Sequence, residues 1–405
     1  RIMAHIVVVG AGQAGSSLVA KLRNSGFEGK VTLIGAEPHP PYQRPPLSKK
    51  YLLGDMPLDR LYLRPETFYR EQNITLRLGL PITKIDPNGR SILLDNEVVS
   101  YDHLALTTGS VPRSLPTAIG GALDGVHVVR DLRDVDAMAP RFDTKARVLI
   151  VGGGYIGLEA AAVAATKGLE VTLVEMSDRI LQRVAAPQTS DFFRNLHQSH
   201  GVDIREGVGL ERIFGDRTVT GAALTDGSVL DLDFIIAGVG VTPATDLAEQ
   251  AGLEIDNGIK TNALGQSSDP HIWAAGDCAS LPYRGGRIRL ESIQNAIDQA
   301  ETVAENMLGA NRPYQPMPWF WSDQYDVKLQ IAGLNNGYDH VVTRPGEKGG
   351  AVSFWYYNKA SLLAVDAAND PRAYMIGKRL IEAGKSPAID VIEDPKSDLK
   401  ALLKP

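Results

Sequence analysis

The clearest pattern along the chain is a short β-branched run that stops at glycine. His5-Ile6-Val7-Val8-Val9 leads into Gly10-Ala11-Gly12-Gln13-Ala14-Gly15. A continuous apolar run of this kind predicts a parallel strand buried on both faces. From Gln13 to Arg23 the apolar residues Ala14, Leu18 and Leu22 return at helical spacing, which predicts a helix. Val31-Thr32-Leu33-Ile34 reads as a second strand, with Glu37 just beyond it. The order is strand, glycine turn, helix, strand, acid.

The same order returns further along. Arg147-Val148-Leu149-Ile150-Val151 reads as a strand, Gly152-Gly153-Gly154-Tyr155-Ile156-Gly157 as a second glycine turn, and the alanine-rich Leu158 to Lys167 as a helix. Val171-Thr172-Leu173-Val174 reads as the next strand, and Glu175 closes it. Three further apolar strands run into glycine, at Thr108-Gly109, at Gly238 and at Gly276-Asp277. In open α/β sheets ligands sit beyond the carboxyl ends of strands, so these glycines mark where backbone approaches a ligand.

Beyond Pro313, Pro316 and Pro318 the texture changes. Alternating, aromatic-rich segments at Val327 to Ala332, His340 to Thr343, Val352 to Tyr357 and Leu362 to Ala367 read as antiparallel strands, and Arg372 to Ala383 as a helix. The last dozen residues, rich in lysine, aspartate and proline, are expected to fray. The predicted fold is therefore α/β, with two Rossmann-type dinucleotide-binding domains and a C-terminal α+β domain. The expected boundaries are 1–112 with 244–315, then 113–243, then 316–405.

In a GxGxxG turn the first glycine permits the tight turn, the second lets a pyrophosphate reach the backbone, and the third lets helix and strand pack closely. The helix start adds free N–H groups and partial positive charge. Gly10, Gly12 and Gly15 hold these places in the first turn, and Gly152, Gly154 and Gly157 in the second. Glu37 and Glu175 stand where an acid accepts hydrogen bonds from a ribose. A carboxylate at Glu175 favours NADH over NADPH, although Arg179 nearby is a residue type that suits a 2′-phosphate. Two dinucleotides in one chain suggest FAD together with NADH. Asp277 suits flavin ribityl hydroxyls, or a helix N-cap.

Composition narrows the chemistry. At 405 residues, about two to three domains are expected. The single cysteine, Cys278, excludes a disulfide framework, a CxxC redox pair and a cysteine-ligated cluster. The formal net charge of −6 argues against nucleic-acid binding. The histidines form no HxxxH pair, so no metal site is expected. The longest apolar-plus-glycine stretch, Val148 to Leu158, is too short to span a bilayer. No secretory signal is legible after Met3, Arg1-Ile2 look like a cloning remnant, and a reducing cytoplasm is the expected location.

Taken together, the two glycine turns, Thr108-Gly109, Gly238 to Pro243 and Ala275-Gly276-Asp277 resemble the glutathione-reductase-fold flavoproteins. Arg44-Pro45-Pro46-Leu47-Ser48-Lys49 and Trp319-Phe320-Trp321-Ser322-Asp323-Gln324 are similar to the oxygenase-coupled ferredoxin reductases of the putidaredoxin-reductase type. That resemblance, which runs over nearly the whole chain, implies roles. FAD would lie on Gly10, Gly12, Ala14, Gly15, Glu37, Ile82, Thr108, Gly109, Arg130 and Asp277. Ser292 and Ile293 would border its ring, Arg44 and Lys49 would pass near it, and Trp321 would sit beside it. Gly152, Gly154, Tyr155, Ile156, Gly157, Glu159, Glu175 and Gly240 would bind NADH. Lys49, Glu159 and Trp321 would carry catalysis.

The implied partner is a [2Fe–2S] ferredoxin serving a haem monooxygenase or related oxygenase, with Arg44, Lys50, Arg312 and Lys328 as candidate docking charges. A monomer is expected. No cysteine precedes position 278, so a thiol relay of the disulfide-reductase kind is excluded. Two alternatives keep the fold. One is a binding or signalling flavoprotein like apoptosis-inducing factor, and the other is a rubredoxin or monodehydroascorbate reductase.

Overall fold

The structure, a computed structural model, describes residues 4–143 and 145–405. Arg1 and Ile2, read above as a remnant, lie outside the described residues. The chain forms two compact units. The first takes the chain up to Pro46, Gly54–Val111 and Val241–Pro316; the second takes Leu47–Leu53, Pro112–Gly240 and Met317–Pro405.

The first unit is built on a parallel sheet in the order Ile272–Ala274, His103–Leu106, His5–Val9, Lys30–Gly35, Ile74–Leu78. Strand alternation sends Ile6 and Val8 to one face and Val7 and Val9 to the other. Ile6 and Val8 meet the helices Gln13–Asn24 and Ile293–Met307 through Leu18, Val19, Ala300 and Val303. Val7 and Val9 join a second core with Ile85, Ile92 and Leu94, from a small antiparallel sheet. Burial on both faces explains the unbroken apolar run at His5–Val9.

The second unit holds a matching parallel sheet, Asp203–Glu206, Glu170–Glu175, Arg147–Val151, Phe234–Ala237, Val126–His127. In each sheet the strand before the glycine turn is central, with the strand that follows the helix on one side. The repeat read from the sequence is thus a repeat of topology. Only the edge strand differs in origin: Ile272–Ala274 comes late in the chain, whereas Val126–His127 precedes its glycine turn.

The same unit contains an antiparallel sheet in the order Trp319–Gln324, Val327–Gly333, Ser361–Ala368, Val352–Asn358, His340–Pro345. Helix Pro371–Glu382 covers one face through Ala373, Ile376 and Leu380 against Trp355, Val365 and Ala367. Asp370 caps that helix by accepting from the Ala373 N–H. On the other face the buried Asp366 accepts from Tyr356 Oη (2.5 Å) and Thr189 Oγ1 (2.9 Å), which ties the sheet to helix Pro187–Ser199.

The expected fraying of the tail is overturned. Leu399 is buried in the core around Ile376 and Leu380, and Leu402 and Leu403 pack against it. The buried Arg344 guanidinium donates to the Ile392, Asp394 and Ser397 carbonyls and to Ser397 Oγ. It satisfies backbone acceptors that an unstructured polar tail would leave to water. A lysine-rich composition hid the three leucines that do the packing.

Candidate active site

The two glycine turns divide the work of their glycines identically. A Cβ on Gly10 would lie 2.1 Å from the Thr107 carbonyl oxygen, and one on Gly15 would lie 2.0 Å from the Gly10 oxygen. In the second turn a Cβ on Gly152 would lie 2.1 Å from the Gly238 oxygen, and one on Gly157 would lie 2.0 Å from the Gly152 oxygen. These four glycines are fixed by the fold itself. Gly12 and Gly154 are different, since a Cβ on either meets nothing within 4 Å. Both have extended φ/ψ that any residue adopts. The protein therefore gives no reason for glycine there, and a group arriving from outside does.

The helix starts behind these glycines point the same way. Neither has a side-chain cap or an acid in its first turn. Uncapped N–H groups at a helix start hold an anion well. The pair of open cradles fits two pyrophosphates.

In the first unit several elements converge on that cradle. Thr107, which sequence reasoning passed over for its neighbour, donates from Oγ1 to the Gly10 oxygen (2.8 Å) and braces the turn. Thr108 Oγ1 donates to the Ala244 carbonyl (2.7 Å), and Gly109 takes positive φ. A Cβ on Gly276 would lie 3.1 Å from Ala14 Cβ, so the turn before Asp277 sits against the start of the first helix. Ser110 Oγ donates to Asp277 Oδ2 (3.3 Å). Asp277 precedes the strand Ala279–Tyr283, so the helix N-cap alternative falls away. Ser292 caps helix Ile293–Met307 by accepting from the Asn295 N–H (3.1 Å). Ile82 packs on the apolar core beside Ile85 and Leu94.

Arg44 and Lys49 part company. Arg44 Nη2 bonds Glu37 Oε2 (2.8 Å), its guanidinium lies over the Tyr42 ring, and Tyr42 Oη also donates to Glu37. Arg44 thus orients the acid at the end of the second strand. Two of the candidate docking charges are likewise neutralised, Arg44 by Glu37 and Arg312 by Glu305. Lys50 and Lys328 are exposed.

In the second unit Lys49 Nζ bridges two carboxylates, Glu159 Oε1 (3.1 Å) and Asp323 Oδ2 (3.5 Å). Burial pushes the Glu159 carboxyl above its ordinary value; Lys49 and the Asp323 N–H pull it back, while the Asp323 charge pushes it up. Asp323 was part of a recognised signature, but nothing local assigned it to Lys49. Alternation along Trp319–Gln324 puts Trp319, Trp321 and Asp323 on one face and Phe320, Ser322 and Gln324 on the other. The Trp319 and Trp321 rings lie 5.6 Å apart, and both side chains stay partly exposed. Phe320 meets the Tyr155 ring at 5.3 Å. The Tyr155 hydroxyl is buried without a hydrogen-bond partner. Ile156, by contrast, is exposed on the first helical turn.

Glu175 is held in place by the glycine turn and by its own loop, accepting from the Gly153 N–H (3.0 Å) and the Ser177 N–H (2.7 Å). Arg179, half-buried, donates from Nη1 to the Ala185 carbonyl (2.8 Å) and to Ser190 Oγ (2.7 Å). Gly240 takes positive φ and accepts from the Arg113 N–H (2.9 Å). The Arg130 N–H donates to Asp134 Oδ2 (3.1 Å), part of the cap that starts helix Leu132–Met138. Cys278 is fully buried, its Sγ directed at the Leu106 (3.4 Å) and Ala275 (3.5 Å) carbonyls, and burial pushes its thiol up. It behaves as a small core residue.

Known proteins match this arrangement over its whole length. A family model described as pyridine nucleotide-disulphide oxidoreductase matches residues 4–300, and one described as reductase C-terminal matches residues 319–403. The chain is similar to a ferredoxin–NAD(P)(+) reductase (fdr) of Sphingomonas sp., at 41% identity over 99% of this chain and 98% of the relative. Among solved structures it is similar to the covalent putidaredoxin reductase–putidaredoxin complex, with TM-score 0.95 and 37% identity over 100% of this chain and 99% of that one. It is also similar to the ferredoxin reductase for the CYP199A2 system from Rhodopseudomonas palustris, with TM-score 0.95 and 38% identity over 99% of this chain and 100% of that one. Among the described residues, no helix is long and apolar enough to cross a membrane.

Proposed function

The chain belongs to the pyridine nucleotide-disulphide oxidoreductase family, and from that premise we propose that it is an FAD-containing, NADH-dependent reductase of a [2Fe–2S] ferredoxin serving a haem monooxygenase or related oxygenase. The observation that carries this reading is the pair of open cradles at Gly12 and Gly154, in a chain whose one thiol is buried and inert. Bound FAD supplies the chemistry that a nicotinamide lacks, taking up two electrons as a hydride and giving them out singly.

The residues divide as follows. The first turn binds the FAD pyrophosphate on backbone N–H groups, Glu37 holds a ribose, and Asp277 holds the ribityl chain. The second turn would bind the NADH pyrophosphate, and Glu175 would hold the ribose of its adenosine. Glu159 orients the nicotinamide end, and Lys49 holds a positive charge between Glu159 and Asp323. No side chain relays electrons as a thiol, so they leave directly for the ferredoxin. The reading places this reaction in the cytoplasm, where an unpaired cysteine meets reducing conditions.

The test is an anaerobic titration followed by flavin absorbance. Bleaching at about one NADH per chain, then reoxidation by a [2Fe–2S] ferredoxin but not by rubredoxin, is the expected result. A protein that takes up no FAD, or whose flavin NADH leaves untouched, would sink the reading.

Two further results follow from the geometry. With Glu175 oriented and Arg179 Nη1 turned to Ala185 and Ser190, kcat/KM for NADH should exceed that for NADPH by at least about 100-fold, and Glu175→Ala should narrow that gap by about tenfold or more. Steady-state kinetics with both nucleotides decides it, and equal efficiencies would refute the assignment of Glu175. Cys278→Ser should keep full flavin content and ferredoxin reduction within about threefold, because a hydroxyl, like the thiol, carries one proton that either the Leu106 or the Ala275 carbonyl can accept. Loss of ferredoxin reduction at full flavin content would reinstate a thiol step.

A further inference from the structure

Four groups of the first unit form a hydrogen-bond chain that ends at the turn bearing Asp277. Gly276 donates its N–H to Gln299 Oε1 (3.0 Å). Asn295 Nδ2 donates to the same oxygen (3.2 Å). Tyr314 Oη donates to Asn295 Oδ1 (2.8 Å). Gln299 and Asn295 are both buried, 1% and 5% exposed, so water does not complete these bonds.

The direction of the chain is fixed by chemistry. A backbone N–H can only donate, so Gln299 must turn its oxygen toward Gly276. That oxygen also faces Asn295, which must then present its nitrogen. The Asn295 oxygen is left for Tyr314, which must donate. Burial pushes the Tyr314 phenol above its ordinary range, which keeps its proton in place. Flipping either amide would set donor against donor or oxygen against oxygen along the line.

The turn at the end of the chain is held from other sides as well. Gly276 has φ +86°, which disfavours any side chain there. Arg289 Nη1 donates to the Asp277 carbonyl (3.1 Å), and Ser110 donates to its carboxylate. The Gly276 N–H thus fixes the turn beside the contacts that Arg289 and Ser110 make to Asp277.

We propose that Tyr314, Asn295 and Gln299 form a one-way relay that holds the Gly276–Asp277 turn in the geometry FAD binding requires. Asn295 and Gln299 are positioning residues for the cofactor. The inference rests on the reading of Asp277 as a flavin ligand.

Two near-isosteric changes separate this from simple packing. Gln299 needs only to accept, and Gln299→Glu keeps an accepting oxygen in either protonation state. Asn295 must accept and donate, and Asn295→Asp loses its donor whenever the new carboxyl is ionised. The dissociation constant for FAD is measured with apoprotein reconstituted at about pH 8 and again at about pH 5. For Asn295→Asp we expect a rise of about tenfold or more at the higher pH, and recovery to within about threefold of wild type at the lower, where burial, which disfavours the ionised carboxylate, keeps the new carboxyl protonated so that it again donates. Gln299→Glu should stay within about threefold of wild type at both.

Equal losses in the two variants, or no recovery of Asn295→Asp on acidification, would overturn the relay while leaving FAD binding itself intact. Tyr314→Phe removes one hydroxyl from a half-buried side chain and guards against a misfolded variant. It should raise the dissociation constant by about three- to tenfold, and an unchanged value overturns the relay. A wild-type protein that binds no FAD would instead refute the flavin reading, a result distinct from either.

Discussion

Gly12→Val should give a folded, colourless protein, and Gly154→Val a yellow one that NADH no longer bleaches. Both expectations come from space that the protein leaves open. A Cβ at either position meets nothing within 4 Å and needs no unusual backbone angle, so neither change should cost the fold much. What it would meet is the pyrophosphate, whose close approach to backbone N–H groups is the reason for glycine there. A methyl group pushed into that contact should weaken FAD binding to Gly12→Val by about 100-fold or more, roughly 2.7 kcal/mol. Gly154→Val should retain FAD and raise the KM for NADH by a similar factor.

Gly15→Ala and Gly157→Ala serve as contrasts. There a Cβ would strike backbone oxygen at 2.0 Å, so the unit itself should be damaged. Flavin content, thermal unfolding and NADH titration of the four variants decide the matter. If Gly12→Val keeps its flavin, the first turn does not cradle a pyrophosphate.

Lys49→Met should slow reduction of the flavin by NADH by about 10- to 100-fold. Lys49 is the cation between Glu159 and Asp323, and its removal leaves two carboxylates facing each other with nothing between. Burial already holds the Glu159 carboxyl above its ordinary value, and Lys49 is the largest influence pulling it down. Without Lys49 that value rises further. A higher value means that more of the protein carries a protonated Glu159 at any given pH. The limb of the rate profile governed by Glu159 ionisation should therefore move to higher pH in the variant. Lys49→Arg, which keeps the charge, should restore much of the rate and the position of that limb. Rapid-mixing measurements across pH would show this, and a Lys49→Met profile lying on that of the wild type would remove Lys49 and Glu159 from the reaction.

The local half of this protein was legible in its sequence. The β-branched runs at His5–Val9 and Arg147–Val151, the helices behind them and the alternating strands beyond Val327 all appear where their periods place them. Such periods depend on neighbours a few residues away. The absence of a thiol relay was equally legible, since it follows from counting cysteines. Tertiary structure alone decided the pairings. It separated Gly12 and Gly154 from the glycines that the fold needs, because only folding shows which backbone oxygen lies over which Cα. It gave Arg44 to Glu37, set Arg179 Nη1 against Ser190 and brought Lys49, Glu159 and Asp323 together from three distant segments. It also drew the polar tail into the core, because Arg344 collects its carbonyls and Leu399 fills space beside Ile376. Each of these is a long-range contact, set by shape and charge across the fold, and no local period records it.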